Sequence, residues 1–132
     1  MSVLGELQPN KVFQYFEEIC SIPHGSRNLQ QISDYLVDFA KAHELKYRQD
    51  EDLNVIIWKD GSKGYEASEP VILQGHMDMV AVKEADCDKD MEKEGLDLEI
   101  NGDYISAKGT SLGGDDGCLL YTSPSPRDTE RS

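Results

Sequence analysis

The hydrophobic and polar positions of the chain first predict two amphipathic helices. Apolar residues recur every three or four positions over residues 12–20 and again over residues 32–40, which is the spacing of one buried helix face. Pro9 suits the start of the first helix, because a proline in the first turn loses no hydrogen bond. Asn28 and Gln31 have the spacing of a capping box and predict the start of the second helix.

Short strands are predicted after the helices. Residues 45–49 and 54–58 are predicted strands that an acidic turn separates, and the second of them is rich in β-branched and aromatic side chains. Apolar positions alternate over residues 96–100, and residues 104–107 follow the dipeptide Asn101-Gly102. That dipeptide is typical of a type I′ turn, so this part of the chain should form a β-hairpin.

Val71-Ile72-Leu73 gives the strongest strand signal of the chain. It is a continuous apolar run with two β-branched residues, and Gly75 follows shortly after it. Such a run is typical of a strand that is covered on both faces. Together with the helices, it predicts an α/β fold in which helices flank a mixed sheet.

An imidazole and a carboxylate, His76 and Asp78, follow this strand two residues apart. Residues i and i+2 of an extended backbone point to the same side, and open α/β sheets carry their chemistry beyond the carboxyl ends of strands. The pair is either an ordinary strand-end histidine beside a solvated carboxylate, or a metal ligand whose tautomer the carboxylate fixes. A second carboxylate cluster, Asp115-Asp116 between glycines, favours the metal site.

The stretches GHMDMV, KGTSLGGDDG and FEEICSIPHGSRN together resemble the amino-terminal part of aminoacyl-histidine dipeptidases. These are Xaa-His or cytosolic non-specific dipeptidases of the peptidase D type. The resemblance extends over about residues 7–117. It implies the N-terminal part of the catalytic domain of a zinc exopeptidase, which hydrolyses Xaa-His and other dipeptides with two zinc ions.

The resemblance also implies roles for four residues. His76 would bind one zinc, Asp115 would bridge both zincs, and Asp78 would orient His76 and count as catalytic. Asp116 would support the ligands without binding metal, and cobalt or manganese could replace zinc. The other ligands and the general base of the family lie beyond residue 117, so we expect this polypeptide alone to be inactive and its sheet edge to be exposed.

The sequence allows two other functions. The first is that of an aminoacylase or deacetylase of the same superfamily, which would differ in a specificity pocket that residues 7–117 do not include. The second is that of a small acidic calcium-binding module, because Asp86, Asp88 and Asp90 imitate the start of a calcium loop. However, Met91 replaces the glycine and Asp97 the bidentate glutamate that such a loop needs.

Charge and cysteine content limit the kinds of partner and the cellular compartment that we expect for this chain. The chain has 26 acidic and 13 basic residues, and its net charge of −13 argues against nucleic acid or anionic membranes as partners. Three cysteines without Cys-x-x-Cys spacing fit a reducing compartment, and neither a signal peptide nor a membrane-length apolar run is recognisable. We expect a cytoplasmic protein that acts on small peptides, and the resemblance allows a homodimer of the full-length protein.

The carboxyl-terminal residues do not fit the rest of the chain. The resemblance implies a helix after Gly117, yet Pro124 and Pro126 exclude a regular helix there. The stretch CLLYTSPSPRD also resembles a translated transposon-end adapter used to build sequencing libraries. We therefore expect residues 1–117 to form the N-terminal part of a metallopeptidase catalytic domain. Residues 118–132 would be a non-native, disordered tail from adapter read-through, with a natural disordered tail as the alternative.

Overall fold

The computed structural model describes residues 2–113 of the 132-residue chain. The order of elements is α1 (Asn10–Cys20), α2 (Gln30–Ala42), β1 (Lys46–Gln49), β2 (Val55–Trp58), β3 (Leu98–Asn101) and β4 (Tyr104–Ala107). The strands form two two-stranded antiparallel sheets, β1–β2 and β3–β4. These helices and strands lie where the hydrophobic pattern predicts them, whereas the tail predicted at 118–132 lies outside the described residues.

Two hydrophobic clusters hold these elements together. In the first, the buried side chains of Leu4, Cys20 and Leu98 meet, so the β3–β4 hairpin packs against the end of α1. In the second, Tyr15 of α1 and Phe39 of α2 meet edge to face, with ring centroids 5.5 Å apart. Both clusters use the helix faces that the apolar periodicity marks as buried. Within the described part of the chain, no helix has the length and hydropathy that a membrane span requires.

Helix α2 ends in a Schellman motif. The amide of Leu45 donates to the carbonyl oxygen of Ala40 at 2.8 Å, and the amide of Glu44 donates to that of Lys41 at 3.1 Å. These bonds satisfy carbonyl groups at the end of the helix. They require a left-handed residue between helix and strand, and Glu44 takes that place with φ = 56°.

The capping box predicted for α2 is not formed. The helix begins at Gln30, and the preceding Leu29 makes no side-chain cap hydrogen bond. The side-chain amide of Asn28 instead donates to the carbonyl oxygen of Glu92 at 3.0 Å. A long-range bond to the acidic stretch has therefore replaced the local one, which sequence spacing alone does not reveal.

The turn of the second hairpin is shifted by one residue from the prediction. Asn101 pairs with Tyr104, so the two loop residues are Gly102 and Asp103. Gly102 has φ = 60°, whereas Asp103 does not have a positive φ. A glycine at the first loop position is typical of a type II′ turn, while type I′ needs positive φ at both positions.

The prediction of a buried strand at Val71-Ile72-Leu73 is wrong for the described residues. These side chains are exposed, Ile72 to 89%, and the segment belongs to neither sheet. The reason is pairing: within residues 2–113, β1 pairs with β2 and β3 with β4, and no strand lies beside this segment. Because a strand is stabilised by its neighbours, an apolar run without them stays irregular.

Candidate functional site

The segment that follows His76 and Asp78 is held first by the loop after α1. Met79 and Gly25 form a parallel β-bridge. The amide of Met79 donates to the carbonyl oxygen of His24 at 2.9 Å, and the amide of Ser26 donates to that of Met79 at 3.0 Å. These backbone bonds connect parts of the chain more than 50 residues apart, so they fix the loop after α1 beside Asp78.

The same segment is also held by the glycine-rich stretch that leads to Asp115. Lys83 and Thr110 form an antiparallel bridge. The amide of Ser111 donates to the carbonyl oxygen of Val82 at 2.9 Å, and its hydroxyl donates to that of Val80 at 2.6 Å. Residues 79–83 therefore connect the loop after α1 with residues 109–113.

Two glycines permit these close approaches. A Cβ atom at Gly25 would lie 2.8 Å from Cβ of Ala81, and one at Gly113 would lie 2.6 Å from Cβ of Met79. Such distances are shorter than carbon atoms tolerate, so a side chain at either position would push the segments apart. The glycines of the two motifs are thus needed for packing on either side of residues 79–81.

His76 and Asp78 meet as the i and i+2 spacing predicts. Nδ1 of His76 lies 3.1 Å from Oδ1 of Asp78 and 2.9 Å from the Asp78 carbonyl oxygen. Both oxygens are acceptors, so Nδ1 carries the hydrogen and donates it. The hydroxyl of Ser26 donates to Oδ2 of the same carboxylate at 2.6 Å. The three side chains therefore form a chain of hydrogen bonds from Ser26 through Asp78 to His76.

The electrostatics of this group favour an ionised carboxylate. The hydrogen bond from Ser26, followed by the hydrogen bond and charge of His76, holds the pKa of Asp78 below its ordinary value, although desolvation opposes this. The His76 side chain is 60% exposed and that of Asp78 36%, so solvent screens their attraction. The arrangement orients the imidazole and adds little to stability.

Asp115 and Asp116, the second carboxylate cluster, lie outside the described residues. The last described residue before them, Gly113, packs against Met79, which directly follows Asp78. Residues 2–113 contain no group of three or more histidine, cysteine or acidic side chains that could hold a metal ion. His76 is accordingly the candidate ligand of the described part, and further donors would come from other residues.

The loop after α1 contains both a histidine and a site residue that the sequence did not reveal. His24 is buried, with 5% exposure, and its Nδ1 lies 2.7 Å from the carbonyl oxygen of Ile22. This is a structural role, and we do not assign His24 as a metal ligand. Ser26 was not predicted, because no local pattern links a loop serine to a carboxylate 52 residues away.

The acidic stretch that imitates a calcium loop has a different arrangement. The ammonium group of Lys89 lies 3.0 Å from Oδ2 of Asp97 and 4.0 Å from Oε1 of Glu94, and its side chain is only 10% exposed. Asp97, at the glutamate position of the imitated loop, is therefore already paired with an ammonium group. Nothing in this geometry favours the calcium-binding alternative.

Comparisons with known proteins connect this geometry with a group of enzymes. No family model matches the chain. The Escherichia coli (strain K12) cytosol non-specific dipeptidase is 38% identical over 117 residues, which are 89% of this chain and 24% of that protein. The crystal structure of the aminoacylhistidine dipeptidase from Vibrio alginolyticus superposes with a TM-score of 0.86 at 36% identity, covering 95% of this chain and 26% of that one.

The chain thus spans about a quarter of the length of these relatives. Over that quarter, the sequence and the fold agree with them, although the described sheets are only two-stranded. The comparisons confirm the resemblance to cytosol non-specific and aminoacylhistidine dipeptidases and the α/β fold class that it implied.

Proposed function

We propose that this chain contributes part of the active site of a metal-dependent dipeptidase that hydrolyses Xaa-His and other dipeptides. The observation that carries the proposal is the contact between Nδ1 of His76 and the Asp78 carboxylate at 3.1 Å. Metal-binding histidines usually donate their second ring hydrogen to a carboxylate or carbonyl group, and here both acceptors are present. The names of the two relatives support peptide hydrolysis as the reaction.

The donor set fits zinc. His76 would hold one ion through Nε2, because Nδ1 is committed to Asp78. Asp115 would bridge the two ions, since a carboxylate has one oxygen for each of them. Asp116 would support Asp115 from the neighbouring position without binding metal. When bound, such a metal pair supplies a water that is acidic enough to attack an amide carbonyl group at neutral pH. Cobalt or manganese would suit the same donors.

Asp78 has the role of an orienting residue in this proposal. Its ionised carboxylate keeps the hydrogen on Nδ1 of His76 and fixes the plane of the ring. His76 and Asp115 are too few ligands for two metal ions, so the remaining donors and the general base would come from residues beyond this chain. The 132-residue polypeptide alone should therefore be inactive. We also propose a cytosolic location, small peptides as substrates, and neither nucleic acid nor membrane as a partner.

A chimeric enzyme tests the proposal. Residues 1–117 of this chain replace the matching segment of the Escherichia coli cytosol non-specific dipeptidase, and the product is stripped of metal and assayed with added zinc. We expect zinc-dependent hydrolysis of dipeptides, including Xaa-His. His76→Ala and Asp115→Ala should reduce the rate below detection, because each removes a ligand, and Asp78→Asn should lower it by about 10–100-fold.

Asp103→Asn is the matched control, because Asp103 lies exposed in the β3–β4 turn and far along the chain from His76. It should leave the rate unchanged. Hydrolysis of N-acetylated amino acids in preference to dipeptides would favour the aminoacylase alternative. A folded chimera that keeps its dipeptidase rate after His76→Ala would contradict the proposal.

A further inference from the structure

We infer that Ser26 is a positioning residue of this site: its hydroxyl holds the Asp78 carboxylate in the one orientation that meets His76. The inference rests on the proposed function for its catalytic meaning, but its geometry stands on the metal-free chain. Ser26 needs no contact with metal or substrate, since it acts through Asp78.

The contact distances support this role. Oγ of Ser26 lies 2.6 Å from Oδ2 of Asp78, which is in the short range of hydrogen bonds from a hydroxyl to an ionised carboxylate. The other carboxylate oxygen, Oδ1, accepts from Nδ1 of His76 at 3.1 Å. Because the two oxygens are bound to partners on different segments, rotation about the Asp78 side-chain bonds would break at least one of these contacts.

Ser26 can hold the carboxylate because its own backbone is fixed. Its amide donates to the carbonyl oxygen of Met79, the residue after Asp78, at 3.0 Å. On the other side of the β-bridge, the amide of Met79 donates to the buried residue His24 at 2.9 Å. The amide of Asn28 closes a turn onto the carbonyl oxygen of Gly25 at 2.9 Å. The backbone of Ser26 is therefore fixed by hydrogen bonds, and this places its hydroxyl beside the carboxylate.

Without this bond, the described side-chain partner of the carboxylate would be the largely exposed imidazole of His76. The Asp78 side chain is 36% exposed, and the Ser26 hydroxyl is the partner of Oδ2 among the described contacts. An exposed aspartate samples several χ1 rotamers. A carboxylate that changes rotamer would fix the imidazole plane of His76 less well. The orientation of a metal-binding histidine depends on the hydrogen bond that its second ring nitrogen makes.

The test is NMR spectroscopy of the complete, isotopically labelled 132-residue chain without metal. Three-bond couplings from Cγ of Asp78 to the backbone nitrogen and carbonyl carbon report its χ1 rotamer. We expect couplings of a single rotamer in the unmodified chain and averaged couplings in Ser26→Ala. Ser26→Thr keeps a hydroxyl and should keep the single rotamer. Ser68→Ala removes an exposed hydroxyl with no described side-chain bond and should change nothing.

Each outcome decides the inference. Averaged couplings in the unmodified chain, or a single rotamer retained in Ser26→Ala, would overturn it. If amide dispersion shows that Ser26→Ala does not fold, Ser26→Cys keeps the shape of the side chain with only a weak donor, and a single rotamer in that variant would overturn the inference equally. No metal or substrate is present, so an inactive chimera would contradict the proposed function and leave these couplings unaffected.

Discussion

Gly113 packs so closely on Met79 that a Cβ atom at position 113 would lie 2.6 Å from Cβ of Met79. This contact joins the stretch that leads to Asp115 with the residue that follows Asp78. It therefore explains how two motifs separated along the chain approach each other. The glycine is required by the packing of the backbone, independently of any bound metal.

Replacing Gly113 by alanine should destabilise the protein. The added methyl group must displace Met79 or its own segment, and overpacking of this kind lowers the free energy of unfolding by about 1–3 kcal/mol. Urea unfolding followed by circular dichroism measures the change. Lys108→Ala, at an exposed position of the same stretch, is the control and should change the free energy by less than about 0.5 kcal/mol. An unchanged unfolding midpoint in Gly113→Ala would show that the contact is looser than described.

Glu17 should hold the amino-terminal residues in a pH-dependent way. Its carboxylate accepts from the amides of Val3 and Leu4 and from the hydroxyl of Ser2, at 2.7, 3.0 and 2.9 Å. Burial raises the pKa of Glu17, but these bonds together lower it below its ordinary value. The contribution of Glu17 is therefore present above the pKa of the unfolded chain and is lost as pH falls through the lowered, folded pKa.

Amide hydrogen exchange measures this effect. At neutral pH, Glu17→Gln should reduce the protection of the Val3 and Leu4 amides, because a neutral amide accepts more weakly than a carboxylate. Glu6→Gln, at an exposed position of the same segment, should leave their protection unchanged. Equal protection of these two amides in the Glu17→Gln variant and the unmodified chain would count against the described contacts.

Glu44→Gly should stabilise the protein. Glu44 is exposed and has φ = 56° in the Schellman motif at the end of α2, a conformation that glycine adopts without strain. The free energy of unfolding should rise by about 0.5–1 kcal/mol, because the relieved left-handed strain exceeds the entropy that glycine adds to the unfolded chain, and urea unfolding measures the change. Glu51→Gly, at an exposed position without positive φ, should not stabilise. A loss of stability in Glu44→Gly would show that position 44 is not left-handed in solution.

Cys20 should resist thiol reagents in the folded chain. It is 1% exposed, and burial, together with the nearby charge of Glu17, raises the pKa of its thiol to about 12. Since the thiolate is the reactive form, alkylation at pH 8 should modify the partly exposed Cys87 much faster than Cys20. Peptide mass spectrometry separates the two sites, and urea should equalise them. Equal rates without urea would mean that the first cluster is open.

Local patterns predicted the elements of this fold, because their causes are local. The periodic apolar faces of residues 12–20 and 32–40 appear as α1 and α2, and the hairpin near Gly102 forms with its turn shifted by one residue. The i and i+2 spacing also explains why His76 and Asp78 meet. Each of these depends on neighbours within a few residues along the chain.

The features that sequence reasoning missed depend on distant residues. Ile72 resembles a buried strand residue, yet it is 89% exposed because no described strand pairs with its segment. The bond from Ser26 to Asp78 crosses 52 residues, and Asn28 bonds to Glu92 where a local cap was expected. A sequence pattern contains the propensity of a segment but not the identity of its distant partner.

A crystal structure of the zinc-loaded chimera would show whether His76 and Asp115 bind the metal. We expect anomalous zinc density at about 2.0–2.2 Å from Nε2 of His76 and from a carboxylate oxygen of Asp115, with Asp78 still bound to Nδ1. Zinc density that does not contact His76, in a chimera that hydrolyses dipeptides, would contradict the assignment of His76 as a metal ligand.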